Sequence, residues 1–284
     1  MHFCITTYSG VKFVDFLLMH RYIGFSSYAS IEHDETIRQR CKYNKPFDHI
    51  KFHCGTLSDF LIKPQKKMRS VNWFDYDSSV STDVVDDIVT CGSKIENGSL
   101  VFITVCADPT RNWRGMKPEQ RKQKFDEEFG EAAYDFTAAD FKTPEDFRRT
   151  TCRLLLKIIR KAFSGRHNSS FHPLLQTLYR DSTWMCTIGG IVEQDDKTEL
   201  TNLRNGIKNC LRGFFVEDYS EEFDEIPQIN ITEAERNLLD IIATQKTDRS
   251  AKKKLAKSLG FDDDYIEKYK KIIRFVPRYV ESAT

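Results

Sequence analysis

Hydrophobic positions along the chain fall into short dense runs separated by stretches of helical spacing. Residues 3–6, with Phe3, Cys4 and Ile5, read as a buried strand. A turn at Thr7-Tyr8-Ser9-Gly10 follows. Phe13, Phe16, Leu17, Tyr22 and Ile23 then recur at helical spacing, and Gly24 supplies the stop. The pattern repeats. Residues 28–31 predict a second strand, and residues 34–43 a polar helix ended by Asn44, with Pro46 just beyond. Residues 50–53 predict a third strand, Gly55-Thr56 its exit turn and residues 58–62 a helical piece. After a basic loop over 63–69, read as a solvated surface, residues 71–74 form a fourth strand. Residues 81–95 form a helix with Val84, Val85, Ile88 and Val89 inward. Asp83, Asp86 and Asp87 stand toward its N-terminal half, where the helix dipole favours anions. Asn97-Gly98 is a turn, and residues 100–105 are a continuously apolar fifth strand. Five strands alternating with helices predict a mostly parallel sheet covered on both faces.

The pattern changes after Asp108-Pro109. Residues 117–129 are strongly charged with a helical period, which suits either an insertion closing over the strand ends as a lid or a solvated surface helix. Pro144 opens a long amphipathic helix through Leu154, Leu155, Ile158, Ile159 and Phe163, closed by Gly165. Residues 174–179 and 184–192 then read as strands joined by Arg180-Asp181-Ser182-Thr183. So short a link permits an antiparallel hairpin and forbids a crossover. Gly189-Gly190 inside the second of these strands predicts a bulge or a close backbone approach. From Pro227 the chain becomes helical. Thr232 and Glu235 have capping-box spacing, followed by apolar Leu238, Leu239, Ile241 and Ile242. Leu255 and Leu259 precede the stop at Gly260. Tyr265, Ile266, Tyr269, Ile272 and Ile273 mark a last helix before Pro277. The expected division is an α/β domain over 1–226, with a helical insertion or lid over 110–165, and a small helical region over 227–284. The latter is expected to dock on the sheet through Leu238, Ile242, Ile266 and Tyr269.

Composition narrows the classes. The chain has 284 residues, 40% hydrophobic and 30% charged, as in ordinary globular proteins. A net charge of +1 gives no global field for recruiting nucleic acid or an anionic membrane. No apolar run approaches the roughly 20 residues that span a bilayer, and the first residues lack the pattern of a secretory signal. The eight cysteines are scattered without a C-x-x-C pair, which predicts reduced thiols in a cytoplasmic protein rather than zinc or disulfides. The seven histidines form no metal-binding spacing, and there is no G-x-S-x-G elbow.

The candidate chemistry is acidic and sits at strand ends. Tyr28-Ala29-Ser30-Ile31-Glu32-His33-Asp34 places Glu32 about 20 residues beyond Gly10 across a strand–turn–helix pattern, the spacing that sets a carboxylate on a ribose diol. Asp75-Tyr76-Asp77 is a second acidic strand end, so the two suggest one nucleotide crevice. The turn at Tyr8-Ser9-Gly10 has a single glycine. A pyrophosphate needs several for close backbone approach, so NAD or ATP is disfavoured and S-adenosylmethionine, which has no phosphate, is favoured. Asp75, Asp77 and Asp108 together also compose an oxygen-ligand set for a hard cation, a less favoured reading; the expected metal is none.

Several phrases are similar to those of a known family. They are Phe13-Val14-Asp15-Phe16-Leu17-Leu18-Met19-His20-Arg21-Tyr22-Ile23-Gly24; Ser30-Ile31-Glu32-His33-Asp34 with Arg40, Asn44 and Pro46; Trp73-Phe74-Asp75-Tyr76-Asp77; Met185-Cys186-Thr187-Ile188-Gly189-Gly190; and Leu259-Gly260-Phe261 with Tyr269 and Arg274-Phe275-Val276-Pro277-Arg278-Tyr279. With the reversed strand near the end of the sheet, the chain resembles the class I, Rossmann-like S-adenosylmethionine-dependent methyltransferases, and within them a group of bacterial O-methyltransferase-like proteins. The resemblance implies S-adenosylmethionine as cofactor, with Tyr8, Ser9 and Gly10 at its turn, Glu32 on the ribose and Gly55 and Thr56 near the adenine. Asp75 would hold the ammonium, and Tyr76 and Asp77 would face an unidentified acceptor. The thin glycine turn departs from the family, as does a chain that starts directly on the first strand. These departures predict a protein partner covering the N-terminal side, and they keep open a catalytically degenerate binding or sensor subunit. Nucleic acid is not indicated as a substrate. Neither an Asn/Asp-Pro-Pro-aromatic motif nor a Pro-Cys is present. Arg111-Asn112-Trp113-Arg114-Gly115-Met116-Lys117 is a basic, aromatic-bearing segment suited to a nucleic-acid backbone, a reading against which the near-neutral net charge argues.

Overall fold

A computed structural model of the chain describes residues 4–8, 12–63, 68–109, 113, 115–165, 169–194, 201–202, 205–208, 216, 220, 222–226, 231–244 and 249–273. The apolar runs become one eight-stranded sheet in the order β3-β2-β1-β4-β5-β7-β6-β8. Strands β1 (Cys4–Tyr8), β2 (Ser27–Glu32), β3 (Ile50–Cys54), β4 (Ser70–Asp75) and β5 (Ser99–Cys106) are all parallel. Strands β6 (Ser169–Asp181) and β7 (Thr183–Gln194) form the expected hairpin, and β7 lies antiparallel against β5. Only Ser182 separates them, with a left-handed φ of 56°. A last strand, β8 (Asp224–Ile226), adds parallel to β6. Its three residues, Asp-Glu-Ile, carry no readable alternation, so pattern alone does not reveal it.

Helices cover both faces. They are α1 (Val14–Tyr22), α2 (Arg38–Asn44, led by a 3-10 turn), α3 (Leu57–Ile62), α4 (Thr82–Lys94), α5 (Pro118–Phe129) and α6 (Pro144–Ser164). Strand alternation sorts the two cores. In β2, Tyr28 faces one side with Phe13, Phe16, Phe25, Cys41 and Ile50, while Ile31 faces the other. Val101, Ile103 and Val105, two apart in β5, share Ile31's side with Ile88 of α4 and Leu155 and Ile159 of α6. The start of α6 follows from sequence: Thr143 accepts from the Asp146 N–H at 3.1 Å, Asp146 accepts from Thr143 in return, and Pro144 takes a first-turn position where no N–H is needed.

The glycine pair in β7 marks close approach. The register shift lies across the ladder in β6, between Pro173 and Leu175. A Cβ on Gly190 would stand 2.4 Å from the His172 carbonyl oxygen and 2.4 Å from the Phe171 ring. The charged helix α5 is tied down by Phe125, whose ring centroid lies 5.8 Å from Trp113, 4.8 Å from Phe129, 5.8 Å from Phe136 and 5.0 Å from Phe141. Trp113 is itself buried, so it is a core aromatic and not a platform for a nucleic-acid base.

Toward the C-terminus, α7 (Glu233–Thr244), α8 (Arg249–Ser258) and α9 (Asp263–Ile272) follow. The Thr232–Glu235 capping box forms, with the Glu235 N–H donating to Thr232 at 3.3 Å and the Thr232 N–H to the Glu235 carboxylate at 2.7 Å. The four residues named for docking gather on one another. Ile242, Ile266 and Tyr269 bury in a cluster of their own with Leu239, Ala256 and Phe261, and Leu238 sits at its margin. Ile272 of α9 is buried outside that cluster, and Lys271 and Lys268 of the same helix lie close enough to Asp224 and Glu225 of β8 to interact with their charges. Among the described residues, no helix is long and apolar enough to cross a membrane.

Candidate functional site

In an open α/β sheet the binding crevice lies beyond the carboxyl ends of the strands, where the strand order reverses. Here β1 lies between β2 and β4, and the winding reverses across the β1–β4 pair. Tyr8 ends β1, and its side chain, with Ser9 and Gly10, lies outside the described residues. Glu32 ends β2, Gly55-Thr56 follow β3, and Asp75-Tyr76-Asp77 close β4. The fold thus gathers Glu32, Gly55, Thr56, Asp75, Tyr76 and Asp77 at the carboxyl end of the parallel strands.

Glu32 is 7% exposed. Its Oε1 accepts the Asp34 N–H at 3.0 Å and lies 3.7 Å from His33 Nδ1. Its carbonyl accepts the Gly55 N–H at 3.0 Å, which ties the β2 and β3 exits together. Among the described residues nothing hydrogen-bonds to Oε2, so the carboxylate keeps one acceptor oxygen for a ligand.

Gly55 has φ +147°, and a Cβ there would stand 3.0 Å from His53 Nε2. Glycine therefore lets the chain turn over the His53 ring. Thr56 is occupied locally. It caps α3, accepting from the Asp59 N–H at 3.1 Å while its hydroxyl donates to Asp59 at 2.8 Å. His53 is an addition to the expected set. Lys63 Nζ lies 3.3 Å from its Nδ1. An ammonium only donates, so Nδ1 accepts and the neutral ring carries its proton on Nε2. That Nε2 is buried without a hydrogen-bond partner. Burial, then the Lys63 charge, holds the imidazole below its ordinary pKa.

The β4 exit separates its three residues. Asp75 and Asp77 are exposed. Tyr76 turns inward: its N–H donates to the Thr104 carbonyl at 2.9 Å and its hydroxyl to Asp87 Oδ2 at 2.9 Å. Ser58 donates to the other oxygen of Asp87. Asp87 is 7% exposed, so it is a buried tie between α3, α4 and the β4 exit rather than a solvated partner of the helix dipole. The sequence signal was its place three residues after Val84 and four before Cys91, on the apolar stripe of α4.

Asp108, past β5, is also committed. It accepts from the Thr183 hydroxyl at 2.9 Å and the Trp184 N–H at 3.0 Å, and pairs with Arg148 at 3.3 Å. The Arg148 guanidinium lies over the Trp184 ring, 4.7 Å from its centroid. Asp108 thereby clamps the hairpin turn to α6, and among the described residues no group of acids, histidines and cysteines gathers as for a metal. Beside the clamp lies a cavity of ≈ 500 Å³ lined by Arg148, Cys152, Leu178, Trp184 and Phe223.

Solved structures similar to this chain include the S-adenosylmethionine-dependent methyltransferase SibL in its apo form, at 11% identity and TM-score 0.37, covering 68% of this chain and 51% of that one. The O-methyltransferase TomG from Streptomyces achromogenes, involved in tomaymycin synthesis and solved with SAM, matches at 10% identity and TM-score 0.39, covering 68% and 73%. The N-methyltransferase NodS from Bradyrhizobium japonicum matches at 8% identity and TM-score 0.38, covering 68% and 86%. This chain spans about half the length of SibL. No curated protein sequence matches it. Residues 6–284 match the family described as "Putative O-methyltransferase", and the chain belongs to that family.

Proposed function

We propose that the chain transfers a methyl group from S-adenosylmethionine to an oxygen of an acceptor molecule. The observation that carries this reading is Glu32, a buried carboxylate with an uncommitted oxygen beside the reversal point of the sheet. The residues present suit the cofactor. We assign Glu32 to accept from the cofactor's vicinal hydroxyls through its uncommitted oxygen. Asp75 presents a carboxylate for an ammonium. When bound, the cofactor supplies a methyl group on a positively charged sulfur. What remains for the protein is positioning, since holding an acceptor oxygen in line accounts for much of such a rate. Asp77, exposed next to the crevice, is the group we assign to accept the acceptor's proton. Tyr76 we assign to positioning, because its hydroxyl is held by Asp87. The free cysteines, Cys41, Cys54, Cys91, Cys106, Cys152 and Cys186, suit a reducing compartment and support a cytoplasmic location.

Calorimetric titration with S-adenosylmethionine, S-adenosylhomocysteine and NAD tests the reading. The first two bind and NAD does not. Hydrogen bonds to a charged group contribute roughly 1.5–3 kcal/mol, so Glu32→Ala weakens binding by about ten- to a hundredfold at unchanged melting temperature. Glu32→Gln is milder, because the amide oxygen still accepts. Equal binding by Glu32→Ala and wild type would sink the placement of the cofactor.

A further inference from the structure

Helix α6 presents polar groups to the sheet in its first two turns. Glu145, Arg148, Arg149 and Cys152 recur at i, i+3, i+4 and i+7, one stripe of the helix. The same stripe runs on through Leu156, Ile159 and Phe163, which are buried in the core beneath α6. It is therefore polar at its start, where a core-facing stripe is apolar. Below that start, Leu178 of β6 stands in register with Cys186 of β7 and with Glu225 of β8. The three share a face of the sheet, together with Trp184 and Phe223 two positions before the last two. Between this floor and the polar turns of α6 lies the cavity of ≈ 500 Å³, a size that suits a small molecule. Its far wall is built in advance. Gln176, fully buried, grips Ser220 with both ends of its amide, donating to the carbonyl at 2.9 Å and accepting the N–H at 3.1 Å. The Ser220 hydroxyl in turn accepts the Glu222 N–H at 3.0 Å.

The charges around the cavity do not balance. Arg149 pairs with Glu145 at 2.8 Å, and Arg148 with Asp108 at 3.3 Å, so both arginines are matched. On the β8 side, Glu222 has no cation partner among the described residues. Glu225 acts on Lys268, but that ammonium is paired with Asp264 at 2.9 Å. The walls thus keep an excess of carboxylate beside an apolar floor.

The cavity opens at the same end of the sheet as the expected cofactor residues. The Cys106 N–H donates to the Ser78 carbonyl at 2.9 Å and the Ala107 N–H to the Trp184 carbonyl at 2.7 Å, which stitches the β4 exit, the β5 exit and the cavity rim together. We propose, resting on the methyl-transfer reading above, that this cavity holds the body of the methyl acceptor and that the acceptor is an elongated apolar amine bearing a hydroxyl. Its apolar body lies on Leu178 and Phe223, its ammonium faces Glu222 and Glu225, and its hydroxyl reaches the β4 exit. Strand β6 stands three places from β4 in the sheet, so the span from ammonium to hydroxyl is about 10–15 Å at the usual strand spacing. In the transfer the acceptor oxygen bonds the methyl carbon as the carbon–sulfur bond breaks. The electron pair of that bond stays on sulfur, and the hydroxyl proton passes to Asp77. An anionic acceptor would meet two arginines already paired and two carboxylates that repel it.

Three probes of one shape test this: para-(ω-aminobutyl)phenol, para-(ω-hydroxybutyl)phenol and para-hydroxyphenylbutanoate, a cation, a neutral molecule and an anion. Each is titrated calorimetrically into the full chain and then offered to it with radiolabelled S-adenosylmethionine. The amine binds about three- to tenfold more tightly than the alcohol, the acid binds most weakly, and the amine is methylated. Glu222→Gln combined with Glu225→Gln brings the amine level with the alcohol at unchanged melting temperature. Leu178→Trp fills the cavity, weakens all three probes at least about tenfold and cuts transfer to the amine likewise, while S-adenosylmethionine still binds. The Gln pair changes exposed side chains and decides the charge assignment even if Leu178→Trp does not fold. An acid that binds best, a preference for the amine that survives the Gln pair, a bound amine left unmethylated by cofactor-loaded protein, or transfer undiminished in Leu178→Trp overturns the proposal. A wild type that ranks the probes as expected but binds no S-adenosylmethionine removes the methyl-transfer reading, and with it the acceptor role, while the cation site stands.

Discussion

Removing a single hydroxyl, Tyr76→Phe, separates a structural from a chemical role at the β4 exit. The Tyr76 hydroxyl donates to Asp87 Oδ2 at 2.9 Å, and Asp87 is 7% exposed. Without it, Asp87 keeps Ser58 on one oxygen and loses the donor on the other, with little water to replace it. A hydrogen bond to a charged group contributes roughly 1.5–3 kcal/mol, and the ring stays in place, so no cavity is added. For a chain of this size a loss of about 2 kcal/mol lowers the melting temperature by roughly 4–8 °C. Asp87→Ala costs as much or more. In its background Tyr76→Phe becomes nearly silent, giving a coupling of about 1–2 kcal/mol in the double-mutant cycle. The assay is urea denaturation of the four proteins beside cofactor titration of each. Binding by folded Tyr76→Phe changes little. If Tyr76→Phe melts like wild type yet abolishes methyl transfer, the hydroxyl belongs to the reaction and the buried tie is an error.

Other perturbations follow from particular contacts. Gly190→Ala drives a Cβ to 2.4 Å from the His172 carbonyl, a backbone atom that cannot swing aside; overpacking of this kind costs about 1–3 kcal/mol, read as a lower urea midpoint. Thr232→Ala removes the α7 cap and costs roughly 0.5–2 kcal/mol; an unchanged melting curve would count against the cap. His53 has a folded pKa held below its unfolded value by burial and by Lys63. Its contribution to stability is therefore full above about pH 6.5 and is lost as pH falls through the lowered folded value. His53→Gln should flatten urea midpoints measured between roughly pH 5 and 7.

Much of this molecule is written in periodicity. Five parallel strands, the hairpin and α6 follow from apolar runs and stop signals, since a strand buried on both sides must be apolar throughout and a two-faced helix must alternate. What escaped has physical reasons. β8 is three residues of mixed polarity, held by pairing with Thr177, Leu178 and Tyr179. Gly55 and Thr56 were legible by position, but their local roles, a left-handed turn over His53 and a cap shared with Asp59, depend on contacts that spacing does not announce. His53 carries no motif because its orphaned nitrogen is made by folding. Asp87 was visible as an acid on an apolar stripe, a conflict that a buried hydrogen-bond partner resolves. The self-packing of α7, α8 and α9 escaped because an amphipathic stripe says that a face is buried and not against what.

The position of β7 sets a timetable for synthesis. β5 pairs on its outer side with β7, not β6, and Val105 meets Cys186. The ribosome must add 81 residues (186 − 105) after Val105 before that partner exists. At roughly 5–20 residues per second, the open edge of the most apolar strand in the sheet waits about 4–16 s. During that interval the first five strands can wind up, but with a bare flank that invites pairing with another nascent chain. A single late strand thereby makes the chain's yield depend on elongation rate and on chaperone cover of residues 99–106, even though the finished sheet seals that flank completely.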